Sequence, residues 1–303
     1  MINLRYHIVS LIAVFLALAL GVLIGTTVLD QGVVRVLQGE RNSLASHRDR
    51  LIEDNDELRR ELSLWEGFGD SIVPALVRNR LRDAPVVILS QTPSSDEVSA
   101  AVDAVLEDAG ARIAGRVSFT EKWALSDDPM REQLALVLAT EETDPTALMR
   151  EAAARIAARL AVGGDAAQQA DLLRSLQRNG FVDLADIEDE DVFPPAGVSI
   201  VVVGSEDVTA EPHRDELMMP LLTALQDAVP VVVVEGLDAQ DPLTDRVRRD
   251  EGLGDTIATV DHGDTMLGEL SLVFALRDER QGLPARHFGV RDGAASIAPS
   301  IER

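Results

Sequence analysis

The sequence predicts an α/β protein in which an N-terminal transmembrane helix and a coiled coil precede a Rossmann-like, mainly parallel, doubly wound sheet domain with a helical insertion. Three observations predict this class. Residues 8–29 form an unbroken apolar run, leucine recurs at every seventh residue from Leu37 to Leu58, and short apolar runs alternate with amphipathic segments after residue 85. The first is long enough to cross a bilayer, the second forms a seam for a partner helix, and the third is typical of a parallel sheet covered by helices.

Residues 1–30 are predicted to be an uncleaved membrane anchor. The apolar run exceeds the roughly 7–15 residues of a signal-peptide core, and no clear small-x-small cleavage site follows it. A cleaved signal peptide is the alternative. Arg5 precedes the span and Asp30 follows it, which places the amino terminus in the cytoplasm and the rest of the chain outside the cell membrane. Arg35 and Arg41 argue against that orientation.

Residues 31–66 are predicted to form a coiled coil. Asn55, at an a position of the heptad abcdefg, would fix the register by pairing with its counterpart. The a positions Arg41 and Arg48 are charged, so the seam is weak for a homodimer and equally suits a different partner helix. A helix folded back on its own domain is the alternative. The d positions are Leu37, Leu44, Leu51 and Leu58.

Within the span, Gly21 and Gly25 form a GxxxG pattern. This pattern lets two membrane helices approach closely, although glycine is also common in membrane helices without such a role.

A change of composition at WEGFGD predicts the domain boundary. Gly67 and Gly69 are expected to end the helix and to act as a hinge, because glycine raises the backbone entropy and permits a turn. Residues 67–84 then comprise this hinge and an amphipathic helix, residues 85–283 an extracytoplasmic α/β domain, and residues 284–303 a tail.

The domain is predicted to alternate strands with helices. Ser94 and Glu97 predict a capping box at the start of the first domain helix. Strands are predicted at 85–90, 111–119, 198–204, 229–236 and 256–261, as apolar runs of the kind buried in a parallel sheet. Helices are predicted at 94–106, 214–227 and 265–280, with a helical insertion at about 129–180, and residues 184–191 are predicted to be an exposed acidic loop.

The composition narrows the classes of partner. The chain has 28 Lys and Arg residues against 52 Asp and Glu residues, a net charge of −24. Because nucleic-acid binding needs a clustered positive surface, we expect no nucleic-acid partner. The sequence contains no cysteine, which excludes a disulfide, a thiolate nucleophile and a Cys-ligated metal.

Both ends of the chain resemble one family. The opening LRYHIVSLIAVFLALALGVLIGT and the closing VDHGDTMLGELSLVFALRDERQGLPARHFGVRDGAASIAPS are similar to the ends of the actinobacterial copper transporter family, MctB-like or SteB-like envelope proteins. The resemblance covers nearly the whole chain and contains no catalytic motif. It implies an actinobacterial envelope protein associated with copper efflux and proposed as an outer-membrane channel, or with a division-site complex that acts on peptidoglycan hydrolysis.

Copper is the metal that this resemblance implies. Without cysteine, imidazole and thioether groups are the candidate ligands. His213, Met218 and Met219 are the closest such grouping, although the five-residue separation of His213 from Met218 puts them on different faces of a helix. His262, at the end of a predicted strand, is either a ligand or acid–base group, or an ordinary loop histidine. His287 is interpreted as docking the tail.

No enzyme motif is evident, so the chain is predicted not to be an enzyme and to need no cofactor. The first strand lacks a glycine-rich turn, and P-loop, GxSxG and HExxH motifs are absent from the sequence. The sequence therefore predicts a non-enzymatic, single-pass protein of the cell membrane and envelope. It would pair through its coil, as a homodimer or with another chain, and dock partners through its α/β domain. The alternatives are a component of copper efflux or tolerance, and an enzyme with an unrecognised site.

Overall fold

The computed structural model describes residues 4–92, 94–162, 171–187, 193–205 and 214–300. The chain divides into two compact units, Met1–Gly67 and Phe68–Arg303.

The first helix, α1, spans Leu4–Val77. The prediction that it ends at Gly67 and Gly69 is therefore wrong. A Cβ atom at Gly69 would lie 2.6 Å from the Sδ atom of Met266, so this glycine permits a close approach of side chains rather than a turn. Val77, after the glycines, is buried in the core, and this burial offsets the roughly 1 kcal/mol that each glycine costs a helix.

Among the described residues, seven strands form one sheet in the order β3-β2-β1-β4-β5-β6-β7. The strand β3 is antiparallel to β2, and the other neighbouring pairs are parallel. The mainly parallel sheet is thus confirmed, whereas the two edge strands β3 and β7 were not predicted. The strands are β1 Pro85–Gln91, β2 Arg112–Phe119, β3 Val182–Ala185, β4 Ser199–Val203, β5 Val231–Val234, β6 Ala258–Val260 and β7 His287–Phe288.

Helices connect the strands, and three of them lie in the predicted insertion. The first domain helix, Asp96–Asp108, has Ser95 rather than Ser94 as its N-cap, because the Ser95 side chain accepts the N–H of Val98. The helices are α2 Asp96–Asp108, α3 Asp128–Leu138, α4 Pro145–Val162, α5 Asp171–Arg178, α6 Met218–Leu225, α7 Leu243–Arg249 and α8 Met266–Arg280, and 3-10 helices span Glu121–Ala124 and Arg214–Leu217.

Both faces of the sheet are buried. Alternate residues of a strand point to opposite faces, so Val87 and Leu89 join a core with α3 to α7, while Val86 and Ile88 join a second core with α2, α8 and the end of α1. Two-sided burial explains why the strands read as continuous apolar runs instead of alternating ones.

Candidate functional sites

The amino-terminal part of α1 is a large apolar surface. Arg5–Gly25 has a mean hydropathy of 2.9, and none of it is buried in the structure. Leu16, for example, is 69% exposed. An apolar helix of 21 residues has the length and composition to cross a bilayer, so this segment is consistent with a membrane anchor.

The predicted seam of the coil is also exposed. Leu44, Leu51 and Leu58 are 69%, 56% and 64% exposed, and Asn55 is exposed beside them. The side chain of Leu37 lies outside the described part of the chain. At Gly21 and Gly25, an added Cβ atom would meet nothing within 4 Å. These surfaces are therefore open, and the pairing of either one stays a prediction.

Two of the three predicted copper ligands, Met218 and Met219, lie in the described part of the chain. Met218 is 1% exposed and packs in the first core, against which Met219 is partly buried. His213 lies outside the described residues. Among those that are described, no group of three or more His, Cys, Asp and Glu side chains has metal-binding proximity. The copper site stays a prediction.

Among the described residues, several buried polar groups lie at the carboxyl ends of β5 and β6. In open α/β sheets this edge commonly builds ligand sites. Glu235 directly follows β5, and Asp261 and His262 directly follow β6. Sequence reasoning found His262 beside Asp261 but missed Glu235. An acidic residue immediately after an apolar strand was the available signal.

Asp261 forms a buried ion pair with Arg248. Its Oδ2 atom lies 2.6 Å from Nη1 of Arg248, and the two side chains are 0% and 2% exposed. The Asp261 carboxylate also accepts the backbone N–H groups of Val290 (2.9 Å) and Arg291 (3.1 Å). Gly289 makes this approach possible, since a Cβ atom there would lie 1.9 Å from Asp261 Oδ1. This pair therefore attaches the segment after β7 to the sheet.

Glu235 caps the start of α7. Its carboxylate accepts the N–H groups of Leu243 (2.9 Å) and Thr244 (2.8 Å), and the side chain is almost completely buried. Burial raises the pKa of Glu235, against the opposing effect of these hydrogen bonds. The adjoining cavity is only about 10 Å³, room for about one water molecule. It is lined by Gln91, Ser205, Met218, Glu235, Asp241, Leu243 and Arg246.

His262, after β6, and His287, at the start of β7, both make structural contacts. His262 Nε2 donates to the carbonyl of Ile297 (2.8 Å), and its Nδ1 is buried without a hydrogen-bond partner. His287 joins Thr259 Oγ1 (3.0 Å) to the carbonyl of Gly254 (2.8 Å). Burial lowers the pKa of both imidazoles, which favours their neutral forms. The contacts of His287 agree with its interpretation as a docking residue.

A larger groove lies between α3, α4 and α5. Its volume is about 470 Å³, and the Arg159 guanidinium in it donates to the carbonyl of Phe193. The lining is Val137, Arg155, Ala158, Arg159, Val162, Leu172 and Ser175. This volume is within the range of small-molecule pockets, but Arg155 and Arg159 both serve the fold through carbonyl contacts.

The fold and these surfaces define an α/β protein with an N-terminal apolar helix suited to a membrane anchor, and with edge carboxylates engaged by donors of the same chain. Residues 1–299 match the family described as "Copper transport outer membrane protein, MctB". The chain therefore belongs to the MctB family, and the resemblance seen at its two ends is confirmed.

Relatives match it from end to end. The copper transporters MctB of Mycobacterium bovis and Mycobacterium tuberculosis are each 28% identical over 316 residues, which cover 99% of this chain and 100% of the relative. That of Mycobacterium leprae is 26% identical over 315 residues, 98% of this chain and 99% of the relative. The shared length includes the apolar helix, the long helical segment and the sheet domain.

Proposed function

We propose that this chain is a non-enzymatic, single-pass envelope protein that takes part in copper efflux or tolerance by pairing and docking. The observation that carries this proposal is the end-to-end match to copper transporters, apolar helix included. The helix anchors the chain in the cell membrane with its amino terminus in the cytoplasm, as Arg5 before the span favours. The sheet domain then lies outside and provides the docking surface.

The geometry of the sheet edge supports a non-enzymatic role. Asp261 is neutralised by Arg248, and Glu235 is engaged by two backbone donors. A general acid or base must reach a proton of the substrate, and a cavity of about 10 Å³ beside Glu235 is too small to admit a substrate. These carboxylates hold the fold together instead.

One membrane span cannot enclose a pore, so transport requires further chains. The exposed leucines of α1 supply the surface on which such an assembly forms. A copper-transport role thus depends on pairing, either with copies of this chain or with another envelope protein.

Deletion in the native host tests the role in copper handling. We expect cells lacking the chain to accumulate more copper and to grow less at high copper, with zinc content unchanged as the matched metal control. The full chain should restore both properties, and a secreted form without residues 1–30 should not. Unchanged copper content and tolerance after deletion would contradict the proposal.

Copper titration of the purified full chain tests direct binding. If His213 and Met219 contribute ligands, their replacement by alanine should weaken Cu(I) or Cu(II) binding at least tenfold. His47→Ala, at an exposed position of α1, is the matched control. Binding unaffected by His213→Ala would remove this candidate site and leave copper to a partner.

A division-site scaffold is the second candidate function, favoured by the exposed leucine seam, which offers a docking surface for an envelope helix. In that case the deletion strain would show altered septation and peptidoglycan hydrolysis at normal copper content.

A further inference from the structure

We propose that two copies of this chain pair in parallel along one seam of α1 that runs from the membrane span through the coil to Trp65. This inference rests on the single-pass anchoring proposed above and names the partner of the coil as a second copy.

The heptad register extends well beyond the four leucines. Counting back by sevens from Leu44 leads through Leu37 and Asp30 into the span, and counting forward leads to Trp65. Asp30 is the one polar residue in this series of d positions. The members in the span are Val9, Leu16 and Leu23, which are 66%, 69% and 66% exposed, and Trp65 is 61% exposed. Because α1 is continuous over Leu4–Val77, the described members of this series follow one line that winds slowly around the helix, and two copies keep it in contact by supercoiling.

Membrane anchoring determines how a second copy meets this stripe. Copies inserted through the same span have the same direction and the same depth, so each residue faces its own counterpart. A parallel, in-register pair is the arrangement in which Asn55 at a meets Asn55 of the other copy and fixes the register.

One pair of flanking charges favours the same arrangement and one opposes it. Asp54 occupies g and Arg59 occupies the next e, the two positions that form salt bridges between parallel helices. At the charged a position of Arg48, the guanidinium is already paired with Asp49, 2.6 Å away on the same helix. The following g and e residues, Glu61 and Glu66, have like charges and repel each other across the seam.

This register separates the seam from the GxxxG pattern. Gly21 and Gly25 occupy b and f, the outer positions of the heptad. A pair formed along the seam therefore leaves both glycines facing away from the partner. The leucine seam and the GxxxG pattern therefore cannot both lie in the interface of one two-stranded coiled coil.

Site-directed cross-linking of the full chain in native membranes tests the inference. The chain contains no cysteine, so single substitutions report one position each. Leu16→Cys and Leu58→Cys lie on the seam, and Leu18→Cys and Leu64→Cys are matched controls at outer positions with similar exposure, 62% and 75% against 69% and 64%. With a copper-free thiol oxidant, both seam variants should give several-fold more covalent dimer than their controls.

Each outcome decides a part of the inference. Equal cross-linking on the two faces, or no dimer at any position, would overturn it. Cross-linking at Leu58→Cys but not at Leu16→Cys would overturn the continuation of the seam into the membrane. Co-purification of a different chain with the Leu58→Cys variant would assign the seam to that chain. A normal copper response in a cross-link-negative protein would leave the proposed function standing without self-pairing.

Discussion

At the scale of single residues, buried polar groups decide how the sheet edge is closed. Asp261, Arg248 and Gly289 act together, since the ion pair needs the glycine for its approach to the segment after β7. A buried charge that loses its partner is costly, because the remaining charge stays away from water.

We therefore expect Arg248→Met to lower the free energy of unfolding by about 3–5 kcal/mol, the usual cost of breaking a buried ion pair. Urea unfolding of the full chain in detergent, followed by the fluorescence of buried Trp123, measures this change. Arg249→Met is the matched control. Arg249 is 70% exposed and pairs with Asp245, so its loss should cost only about 0–1 kcal/mol. Equal effects of the two substitutions would contradict the structural role of Arg248.

The burial of Glu279 predicts that the stability of the fold depends on pH. Burial raises its pKa from 4.5 to about 7, against a hydrogen bond from the backbone of Ala258 and with added repulsion from Asp278. Between these two pH values the folded chain keeps a proton that the unfolded chain releases, so the free energy of unfolding falls as the pH rises.

Glu279→Gln should reduce this slope between pH 4.5 and about 7, and it should raise the thermal midpoint above pH 7 relative to the unsubstituted chain. Thermal unfolding measured across that range tests the expectation. Glu251→Gln, at an exposed position, should leave the slope as it is. A slope as steep in Glu279→Gln as in the unsubstituted chain would assign the pH dependence to other groups.

At the scale of elements, α1 shows how packing overrides local propensity. Two glycines within three residues predict a helix end, yet the helix continues because Val73 and Val77 beyond them are buried in the core of the second unit. The two glycines themselves have different surroundings. Gly67 has nothing within 4 Å of an added Cβ atom, and Gly69 faces Met266.

This difference predicts opposite effects of one substitution. Gly67→Ala should stabilise the chain by up to about 1 kcal/mol, because alanine has the higher helix propensity. Gly69→Ala should destabilise it by about 1–3 kcal/mol, because the new methyl group overlaps Met266. Thermal unfolding of the two variants side by side tests this. A stabilising Gly69→Ala would show that Met266 moves aside without cost.

Association through α1 can also be tested by comparing a seam variant with a control variant. Leu44→Ala with Leu51→Ala should weaken association of the full chain in detergent, as measured by analytical ultracentrifugation. Leu64→Ala, at an outer heptad position, is the control. Gly21→Leu and Gly25→Leu should have no effect if pairing follows the leucine seam, and should abolish pairing if it follows the GxxxG pattern. Unchanged assembly of the double leucine variant would exclude the coil as the association site.

At the scale of the whole molecule, the chain after β7 completes the domain. Asp261 receives two backbone donors from it, and His262 binds the carbonyl of Ile297. The backbone of Ser296 also accepts the N–H of Gly289. These contacts close the carboxyl edge around β6 and β7.

Removal of residues 290–303 should accordingly lower the thermal midpoint of the full chain, because buried Asp261 loses two hydrogen bonds, worth about 1.5–3 kcal/mol each for a charged acceptor. Differential scanning calorimetry measures the midpoint. A chain lacking only residues 301–303 is the control. If both truncated chains unfold at the same temperature, residues 290–300 do not contribute to stability.

Local patterns in the sequence were enough to predict the apolar helix, the apolar parallel strands, the insertion and the family. Each of these features depends on a contiguous stretch of the chain, because the spacing of apolar residues along it predicts which surfaces are buried. Four features became visible only in the folded chain: α1 passes through Gly67 and Gly69, Ser95 is the cap, β3 and β7 complete the sheet, and Glu235 and Asp261 are engaged internally. The physical reason is that each of these depends on groups distant in sequence, such as Met266 against Gly69 or Arg248 against Asp261, whose contact no local pattern contains.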